Sequence, residues 1–366
     1  MRRIAVFSNM YPSEKHPTFG IFVKNQVELL RSKGIQVDLI AIDEPGKGKA
    51  ATLKKYLTWF LKSIGFLVRH KKQLSLTHAH YAFPTGIISL IGKKLFGIPY
   101  VVTVHGGDID KMAAKSARIA GYTRNVLQQA DAVITVGERL KQDVIGKFGV
   151  KEEHVHVMSM GVDTDIFKPM RKEEARKQLD ILPTEKLLVF VGNMIEAKGV
   201  LDLVDAFTIV HKDHPDAALH LIGSSKDERF METLANRLLS KDVRITHQEP
   251  LPQKEVAQWI AAADVFVLPS HHEGFGLVAL EAMAVGTTVV GSDVGGLSFL
   301  LDNDAGILVE PKNPESLATG LKQALEEPVE TRRTIAAEKV AGHTYDVIAE
   351  RLTAIYDDVS KGQNAK

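Results

Sequence analysis

Two carboxylates and a glycine-rich turn lie close together in the stretch 264–296 and could bind one anionic ligand. Glu273 comes directly before the triplet Gly-Phe-Gly, and Glu281 follows with seven residues between the two. If a helix begins after the triplet, Glu281 lies about two turns inside it, so the carboxylates reach opposite ends of an elongated ligand. The free amides and positive partial charge of the helix start would bind phosphate between them.

The elements that position these residues follow from the apolar runs around them. The run Val265–Leu268 stops at Pro269, a second apolar stretch covers 277–285, and a β-branched run covers Thr287–Val290. This pattern predicts strand, turn, helix and strand. The alternative is that Glu273 only caps the helix and Glu281 is a solvated surface charge, but that alternative must explain the Gly-Phe-Gly turn separately.

The motif E-G-F-G-L-x-x-x-E after a strand that ends in Pro-Ser resembles the signature of the retaining glycosyltransferases of family 4, which have the GT-B fold. The resemblance implies that Glu273 holds the hydroxyls of the donor sugar and that Glu281 holds the ribose hydroxyls. It also implies that the backbone amides of Phe275, Gly276 and Leu277 hold the sugar and the diphosphate. Glu273 as a covalent nucleophile remains an alternative.

A candidate phosphate-binding cation comes from the segment VFVGNMIEAKG, in which Lys198 stands just before a predicted helix start. A cation at that position can meet a diphosphate held by amides. The family usually has V-G-R followed by Lys five residues later, so Asn193 stands at the arginine position. One expected positive charge is therefore missing, although Asn193 can still donate a hydrogen bond. The chain also departs from the usual G-G-x-x-E, because Phe299 occupies the acidic position.

Two further segments resemble the nucleotide-binding parts of the family. A strand followed by a glycine turn at Gly223 resembles the turn near the nucleotide, and the stretch Ile245–Gln248 resembles the place where backbone groups bind the uracil edge. Gly223, Thr246 and His247 are therefore predicted to contact the donor.

The first half of the chain offers a second group of candidates. His105 follows a predicted strand in the setting His-Gly-Gly-Asp and resembles the active-site histidine of the family, while Asp108 fits equally well as a turn cap. Gly20 stands at a predicted helix start, where the family has a glycine-containing loop that touches the diphosphate and the acceptor. His78 and His80 point to the same face of a strand, and we expect them to line the cleft or contact the acceptor.

The fold class expected from the whole chain is α/β, with strand-like and helix-like runs alternating in both halves as in parallel doubly wound sheets. The resemblance implies two Rossmann-like domains that face each other across a cleft, with ligands at the carboxyl ends of the strands. We predict an acceptor-side domain over 1–168 and a donor domain over 169–342. The segment 167–185 is predicted to be the linker, and a final helix within 343–366 is implied to cross back onto the first domain.

Composition excludes several classes of protein. The chain has 366 residues, 45% of them apolar and 25% charged, which is ordinary for a globular protein. It contains no cysteine, so disulfides and thiolate chemistry are excluded. The first strand-like segment is too short for a signal peptide, and no apolar run approaches the roughly 20 residues that span a bilayer. We therefore expect a cytoplasmic protein, associated with the inner face of the cell membrane for the following reason.

A basic helix is predicted between Pro45 and Lys72. Residues 1–168 contain 25 Lys and Arg against 14 Asp and Glu, whereas the remainder contains 21 against 31. A helical wheel places one broad apolar face opposite a set of cations, with two aromatic residues beside them. The apolar residues are Leu53, Tyr56, Leu57, Phe60, Leu61, Ile64, Leu67 and Val68; the cations are Lys55, Lys62 and Arg69; and the aromatics are Trp59 and Phe66.

This arrangement predicts contact of the cations and the two aromatics with an anionic membrane surface. The alternative is a solvated basic face whose aromatics are covered by a loop. Nucleic acid is not an expected partner, because no recognition motif is present.

The function implied by the resemblance is transfer of a sugar, with retention, from a nucleotide-sugar donor, most simply a UDP-sugar, to a glycan or lipid-linked acceptor in cell-surface polysaccharide synthesis. No Asp-x-Asp pair lies in a suitable loop, so we expect no metal or other cofactor, with Lys198 and the helix dipole in place of a divalent ion. One alternative is a GT-B sugar-nucleotide epimerase. A second is a non-catalytic two-domain sugar-binding protein, which would need neither Lys198 nor the two glutamates.

Overall fold

A computed structural model describes residues 2–44, 48–224, 227–240, 243–327 and 330–364. The chain divides into two compact units, of which the first comprises Met1–Met160 and Tyr345–Lys366 and the second Gly161–Thr344. The corresponding boundaries predicted from the sequence are 168 and 342. Parts of two predicted segments, Pro45–Lys47 of the basic stretch and Ser225 after the Gly223 turn, lie outside the described residues.

The predicted alternation of strands and helices is confirmed in both units. The strands are β1 Arg3–Ser8, β2 Gln36–Ala41, β3 Leu76–His80, β4 Tyr100–Val104, β5 Ala132–Thr135, β6 Val155–Val157, β7 Lys186–Val191, β8 Ala217–Ile222, β9 Ile245–Gln248, β10 Val265–Leu268, β11 Thr288–Ser292 and β12 Ile307–Val309. The α-helices are α1 Ile21–Ser32, α2 Lys49–His70, α3 Thr85–Phe96, α4 Ala117–Gln129, α5 Glu138–Phe148, α6 Lys172–Gln178, α7 Val200–Asp213, α8 Glu228–Leu239, α9 Gln253–Ala262, α10 Leu277–Val285, α11 Gly296–Leu300, α12 Pro314–Glu326, α13 Glu330–Ala341 and α14 Tyr345–Asn364.

The first unit is built on a six-stranded sheet in the order β2-β1-β3-β4-β5-β6, and all of its paired strands are parallel. Its central strands β3 and β4 are buried along their whole length, as is typical of a parallel sheet covered by helices on both faces. The final helix α14 belongs to this unit, since Ile348 and Leu352 pack in the same core cluster as Ile4 and Val6 of β1. The chain therefore returns to its first unit, as the resemblance implies.

The second unit repeats the architecture with the order β12-β11-β10-β7-β8-β9, again parallel. The neighbours β7 and β10 form the centre of this sheet. The loops that follow them, 192–199 and 269–276, therefore begin side by side at the carboxyl edge, where ligands of doubly wound sheets bind.

Two segments differ from the pattern expected from the sequence. The amphipathic pattern of Lys111–Gln129 predicts one helix over that whole segment, but α4 begins only at Ala117, where the Ser116 hydroxyl accepts a hydrogen bond from the Ile119 amide and caps the helix. The segment predicted as a linker contains α6, whose Arg176 donates to Asp264 at 2.7 Å and is buried. This stretch is thus packed onto the second unit.

The helix α2 is oriented differently from the prediction. Trp59 is only 5% exposed, and its indole Nε1 donates to the Ile40 carbonyl at 3.1 Å. Phe66 is partly buried and packs against the hydrophobic core cluster that contains Trp59. The predicted contact of Trp59 with a membrane is therefore wrong, and Phe66 does not project as a free outer ring. The physical reason is that the apolar sector of the wheel is too broad to be buried whole, and the edge next to Trp59 faces the sheet.

None of the helices within the described ranges is both long enough and apolar enough to cross a bilayer.

Candidate functional site

The loops after β7 and β10 interlock closely in the second unit. The His271 amide donates to the Ala197 carbonyl at 2.9 Å, which joins the two loops. Gly199 adopts a φ of +66°, and a Cβ there would lie 1.9 Å from the Pro269 carbonyl oxygen. Only glycine fits this contact without displacing backbone. The close approach fixes the residue before it, Lys198, beside the turn that contains Glu273.

The predicted pair of charged residues meets at this point. The Lys198 Nζ donates to Glu273 Oε2 at 2.6 Å, and the Ser270 hydroxyl donates to the same oxygen at 3.2 Å. The side chains are 23% and 15% exposed, so both are largely withdrawn from water yet open on one side. The pair is held by two loops that are far apart in sequence, and it offers a cation and a carboxylate to one ligand.

The helix α10 begins immediately beyond this pair. Gly276 forms its N-terminal cap with a φ of +94°, and no side chain caps the helix by a hydrogen bond. A Cβ on Gly276 would lie 2.6 Å from Leu297, so the turn is pressed against α11. Phe275 is buried, and its ring makes an edge contact with His343 at 5.1 Å between centroids. The aromatic residue of the motif therefore anchors the turn, leaving the helix start with Leu277 available for an anion.

Glu281 lies inside α10, as predicted, and its surroundings change its ionisation. Burial raises the pKa of Glu281 to about 8, against a hydrogen bond with Gln253 that lowers it. A carboxyl group with this pKa is mostly protonated at neutral pH, so it can both donate and accept hydrogen bonds. That property suits a pair of vicinal hydroxyls.

The two residues predicted on β9 point to opposite faces of the sheet. His247 Nε2 lies 2.8 Å from the Gly223 carbonyl oxygen, so the structure brings His247 to the glycine turn. Thr246 instead pairs with His220, whose ring stacks on Trp259 at 3.8 Å between centroids. The structure does not bring Thr246 to the Gly223 turn, because neighbouring residues of a strand alternate between faces.

Three other residues of the second unit, near the predicted donor site in sequence, have surroundings that the sequence did not reveal. Asn193 is exposed, at the start of the loop that ends in Lys198. His271 bonds through Nε2 to Asp202 Oδ2 at 2.6 Å and so links the β10 loop to the first turn of α7. No spacing in the sequence signals this contact. Phe299, at the position usually acidic, is 51% exposed, and Lys339 Nζ lies 4.4 Å from its ring centroid.

In the first unit, His105 and His80 form a pair at the ends of β4 and β3. His80 Nδ1 lies 3.2 Å from His105 Nε2, and His105 also contacts the rings of Phe22 and Tyr81, both at 4.7 Å between centroids. Burial lowers the pKa of His105 well below its usual value, and the nearby His80 lowers it further. Burial also lowers the pKa of His80, to about 3. Both imidazoles are therefore neutral at physiological pH.

His78 and Asp108 act as structural residues of the first unit. His78 bonds to the Tyr356 hydroxyl at 2.6 Å through Nδ1 and to the Thr103 hydroxyl at 2.8 Å through Nε2, so the predicted role in lining a cleft or contacting an acceptor is wrong. Asp108 accepts hydrogen bonds from the amides of Ala82 and His105. It thereby fixes the position of His105, and burial raises its pKa to about 6.

Gly20 is confined by the loop that precedes it. It caps α1 with a φ of +75°, and a Cβ there would lie 2.7 Å from the backbone of Met10. The loop after β1 therefore closes tightly on the start of α1. Within the described ranges, no group of three or more His, Cys, Asp or Glu side chains is placed to hold a metal ion.

Models of two protein families match the chain. The model described as "Glycosyltransferase Family 4" matches residues 20–166, and the model described as "Glycosyl transferases group 1" matches residues 171–340. The first match includes Gly20 and His105, and the second includes the Lys198–Glu273 pair and Glu281.

Curated relatives and solved structures agree with these matches. A D-inositol 3-phosphate glycosyltransferase from Streptosporangium roseum is 32% identical over 76% of this chain and 68% of its own length. The putative teichuronic acid biosynthesis glycosyltransferase TuaC from Bacillus subtilis is 26% identical over 100% of this chain and 96% of its own. The crystal structure of Anabaena Alr3699/HepE in complex with UDP and glucose has a TM-score of 0.77 at 19% identity and covers 98% of this chain and 100% of that one.

Proposed function

The chain belongs to glycosyltransferase family 4, and we propose that it transfers a sugar from a UDP-sugar with retention of the anomeric configuration. Its activity as a glycosyltransferase follows from the family, which implies a nucleotide-sugar donor and an acceptor. The observation that supports the finer proposal most strongly is the Lys198–Glu273 pair beside the start of α10. A diphosphate and a sugar joined to it need such a cation, amide cluster and carboxylate in close succession.

In the proposed donor complex, the pair opens and each partner binds a different part of the substrate. Lys198 turns to the diphosphate, which also meets the amides of Phe275, Gly276 and Leu277 at the helix start. Glu273 accepts hydrogen bonds from the sugar hydroxyls, and Glu281 binds the ribose hydroxyls. Following the family resemblance, we assign His105 to the donor sugar.

The proposed reaction needs no covalent intermediate. The oxygen of an acceptor hydroxyl attacks the anomeric carbon on the face from which the diphosphate departs. The bond between that carbon and the diphosphate oxygen breaks, and the departing diphosphate takes the hydroxyl proton. The negative charge that develops on the diphosphate is stabilised by Lys198 and by the helix start, which are already oriented before the reaction.

We further propose that these groups replace a divalent metal ion. Lys198 contributes a full positive charge and α10 a partial one to the same phosphate position. Asn193, exposed at the position usually occupied by arginine, contributes only a hydrogen bond. The proposal therefore gives Lys198 a larger share of charge neutralisation than a site with both cations would.

The choice of donor and acceptor also draws on proteins of the same family or fold. HepE was crystallised with UDP and glucose, which favours a uridine nucleotide. TuaC carries teichuronic acid biosynthesis in its name, which favours a glycan or lipid-linked acceptor in cell-surface polysaccharide synthesis. The alternative of a sugar-nucleotide epimerase gains no support, because both curated relatives named above are glycosyltransferases.

A thermal-stabilisation screen with UDP-, GDP- and ADP-sugars tests the donor proposal. A ligand that binds only the folded state raises the melting temperature with its concentration. We expect a UDP-sugar to stabilise the protein most and the effect to shrink in the Lys198→Met variant. Stronger stabilisation by a GDP- or ADP-sugar would contradict the choice of UDP, and epimer formation from a UDP-sugar alone would contradict transfer.

A further inference from the structure

The outer surface of α2 carries a row of large apolar side chains that the described residues of the first unit leave exposed. Leu53 is 72% exposed, Leu57 57%, Leu61 62% and Val68 50%. The three leucines are spaced by four residues and Val68 follows seven later, so the four side chains form one stripe about 80° wide. We call these four residues the α2 stripe. Isolated exposed leucines are common, but an aligned row along 22 residues of helix is not.

Cations flank this stripe on one side. Lys54, Lys62 and Arg69 are exposed and occupy the sector of the wheel next to it, and the exposed Lys72 follows two residues after the end of the helix. Within the described part of the chain, no ion pair involves these four residues. The sequence contains no acidic residue at all from Pro45 to Gly107. The opposite side of the helix, with Trp59 and Leu67, is buried against the first unit.

The helix thus has three sectors: one buried in the protein, one apolar and exposed, and one basic and exposed. We propose that α2 lies in the plane of an anionic lipid bilayer, with the α2 stripe inserted among the acyl chains and the four cations among the headgroups. An interfacial helix needs this combination of an apolar sector and neighbouring Lys or Arg. The membrane face is therefore the α2 stripe, in place of the Trp59 and Phe66 face expected from the sequence.

Charge argues for a bilayer over a second copy of this chain. A symmetric dimer would place the same surface on both sides of its interface. The four cations would then approach those of the partner, with no carboxylate from Pro45 to Gly107 to pair with them. An anionic headgroup surface satisfies the same cations. Lys55 does not belong to this set, because its Nζ donates to the Glu44 carbonyl at 2.8 Å.

Sedimentation with lipid vesicles tests the proposal on the full chain, independently of the proposed reaction. Phosphatidylcholine vesicles with and without phosphatidylglycerol are compared at low and high salt. We expect binding only to the anionic vesicles, and weaker binding at high salt. The Lys62→Ala/Arg69→Ala variant should bind about 30-fold more weakly, since each cation near the surface contributes about 1 kcal/mol. The affinity of the Leu57→Gln/Leu61→Gln variant for the anionic vesicles should fall at least about tenfold.

The matched control is Leu182→Gln/Leu239→Gln, which removes two leucines that are 64% and 86% exposed in the second unit. This control should bind vesicles like the wild type, and the melting temperatures of all variants show whether they are folded. Equal binding by the stripe variant and the wild type would overturn the proposal. So would a wild type that sediments with no vesicles but forms dimers that Leu57→Gln/Leu61→Gln dissociates, since the stripe would then be an interface between copies.

Discussion

The contact between Lys198 and Glu273 predicts opposite effects of two substitutions on the binding of UDP without a sugar. In the free protein, Lys198 Nζ donates to Glu273 Oε2 at 2.6 Å, so the cation is occupied by the carboxylate. UDP lacks the donor sugar whose hydroxyls would bind Glu273. Binding of UDP therefore breaks the ion pair and leaves the Glu273 carboxylate without a new partner. Glu273→Gln should therefore strengthen UDP binding, whereas Lys198→Met should weaken it.

The size of the effect follows from the exposure of the pair. A hydrogen bond between charged groups contributes about 1.5–3 kcal/mol when buried, and an exposed ion pair about 0–1 kcal/mol. With side chains 23% and 15% exposed, an intermediate value of about 1 kcal/mol is reasonable. Glu273→Gln should then tighten UDP binding roughly fivefold. Lys198→Met should weaken it by tenfold or more, because the phosphate loses a charged donor.

Isothermal titration of UDP into the wild type, the two single variants and the double variant measures both effects. In the double variant the gain from Glu273→Gln should disappear, because no lysine remains to be released. Weaker UDP binding by Glu273→Gln would refute the idea that the Glu273 carboxylate and the diphosphate compete for Lys198. The same would follow if Glu273→Gln raised the affinity for UDP equally in the absence of Lys198.

Three other predictions concern the surrounding structure. Because the pKa of Glu281 is raised to about 8, the folded state retains a proton that the unfolded state loses near 4.5, so stability falls as pH rises between these values. The melting temperature of Glu281→Gln should increasingly exceed that of the wild type from pH 5 to pH 8, and a constant difference would contradict the raised pKa. Gly199→Ala should destabilise the fold by about 2 kcal/mol or more, since its Cβ would meet the Pro269 carbonyl at 1.9 Å, whereas Gly146→Ala, with no atom within 4 Å, should be neutral or stabilising in urea unfolding. The pH dependence of the transfer rate should show no step near 6.5 from His105, whose pKa is lowered well below that value, and a step there that His105→Gln abolishes would contradict its neutrality.

Much of the donor site could be predicted from the sequence because its elements are local. The runs around Pro269 and Gly276 have the lengths of a strand and a helix and are bounded by Pro or Gly, so strand, turn and helix follow from composition and spacing. The roles predicted for Glu273 and Glu281 rest on the resemblance to a family, and similarity over most of the chain shows that the chain belongs to that family.

Contacts between distant residues could not be predicted in this way. The partner of His78, the Tyr356 hydroxyl, lies 278 residues further along the chain, and the contact of His271 with Asp202 spans 69 residues. The helical wheel of α2 predicted the wrong exposed face for a different reason. Its apolar sector continues from Leu67 to Leu61, and hydrophobicity alone does not tell which edge packs on the sheet. Trp59 lies next to the buried edge, and its indole finds a backbone carbonyl there.

The most direct test of the proposed donor site is the rate of sugar transfer by Glu273→Gln, measured with the donor that stabilises the wild type most and a labelled sugar. We expect the transfer rate to fall by several orders of magnitude with an unchanged fold, because the carboxylate orients the reacting sugar. Lys198→Met should lose activity to a similar degree. Near-normal transfer by both variants, with melting temperatures like that of the wild type, would contradict the assignment of the donor site.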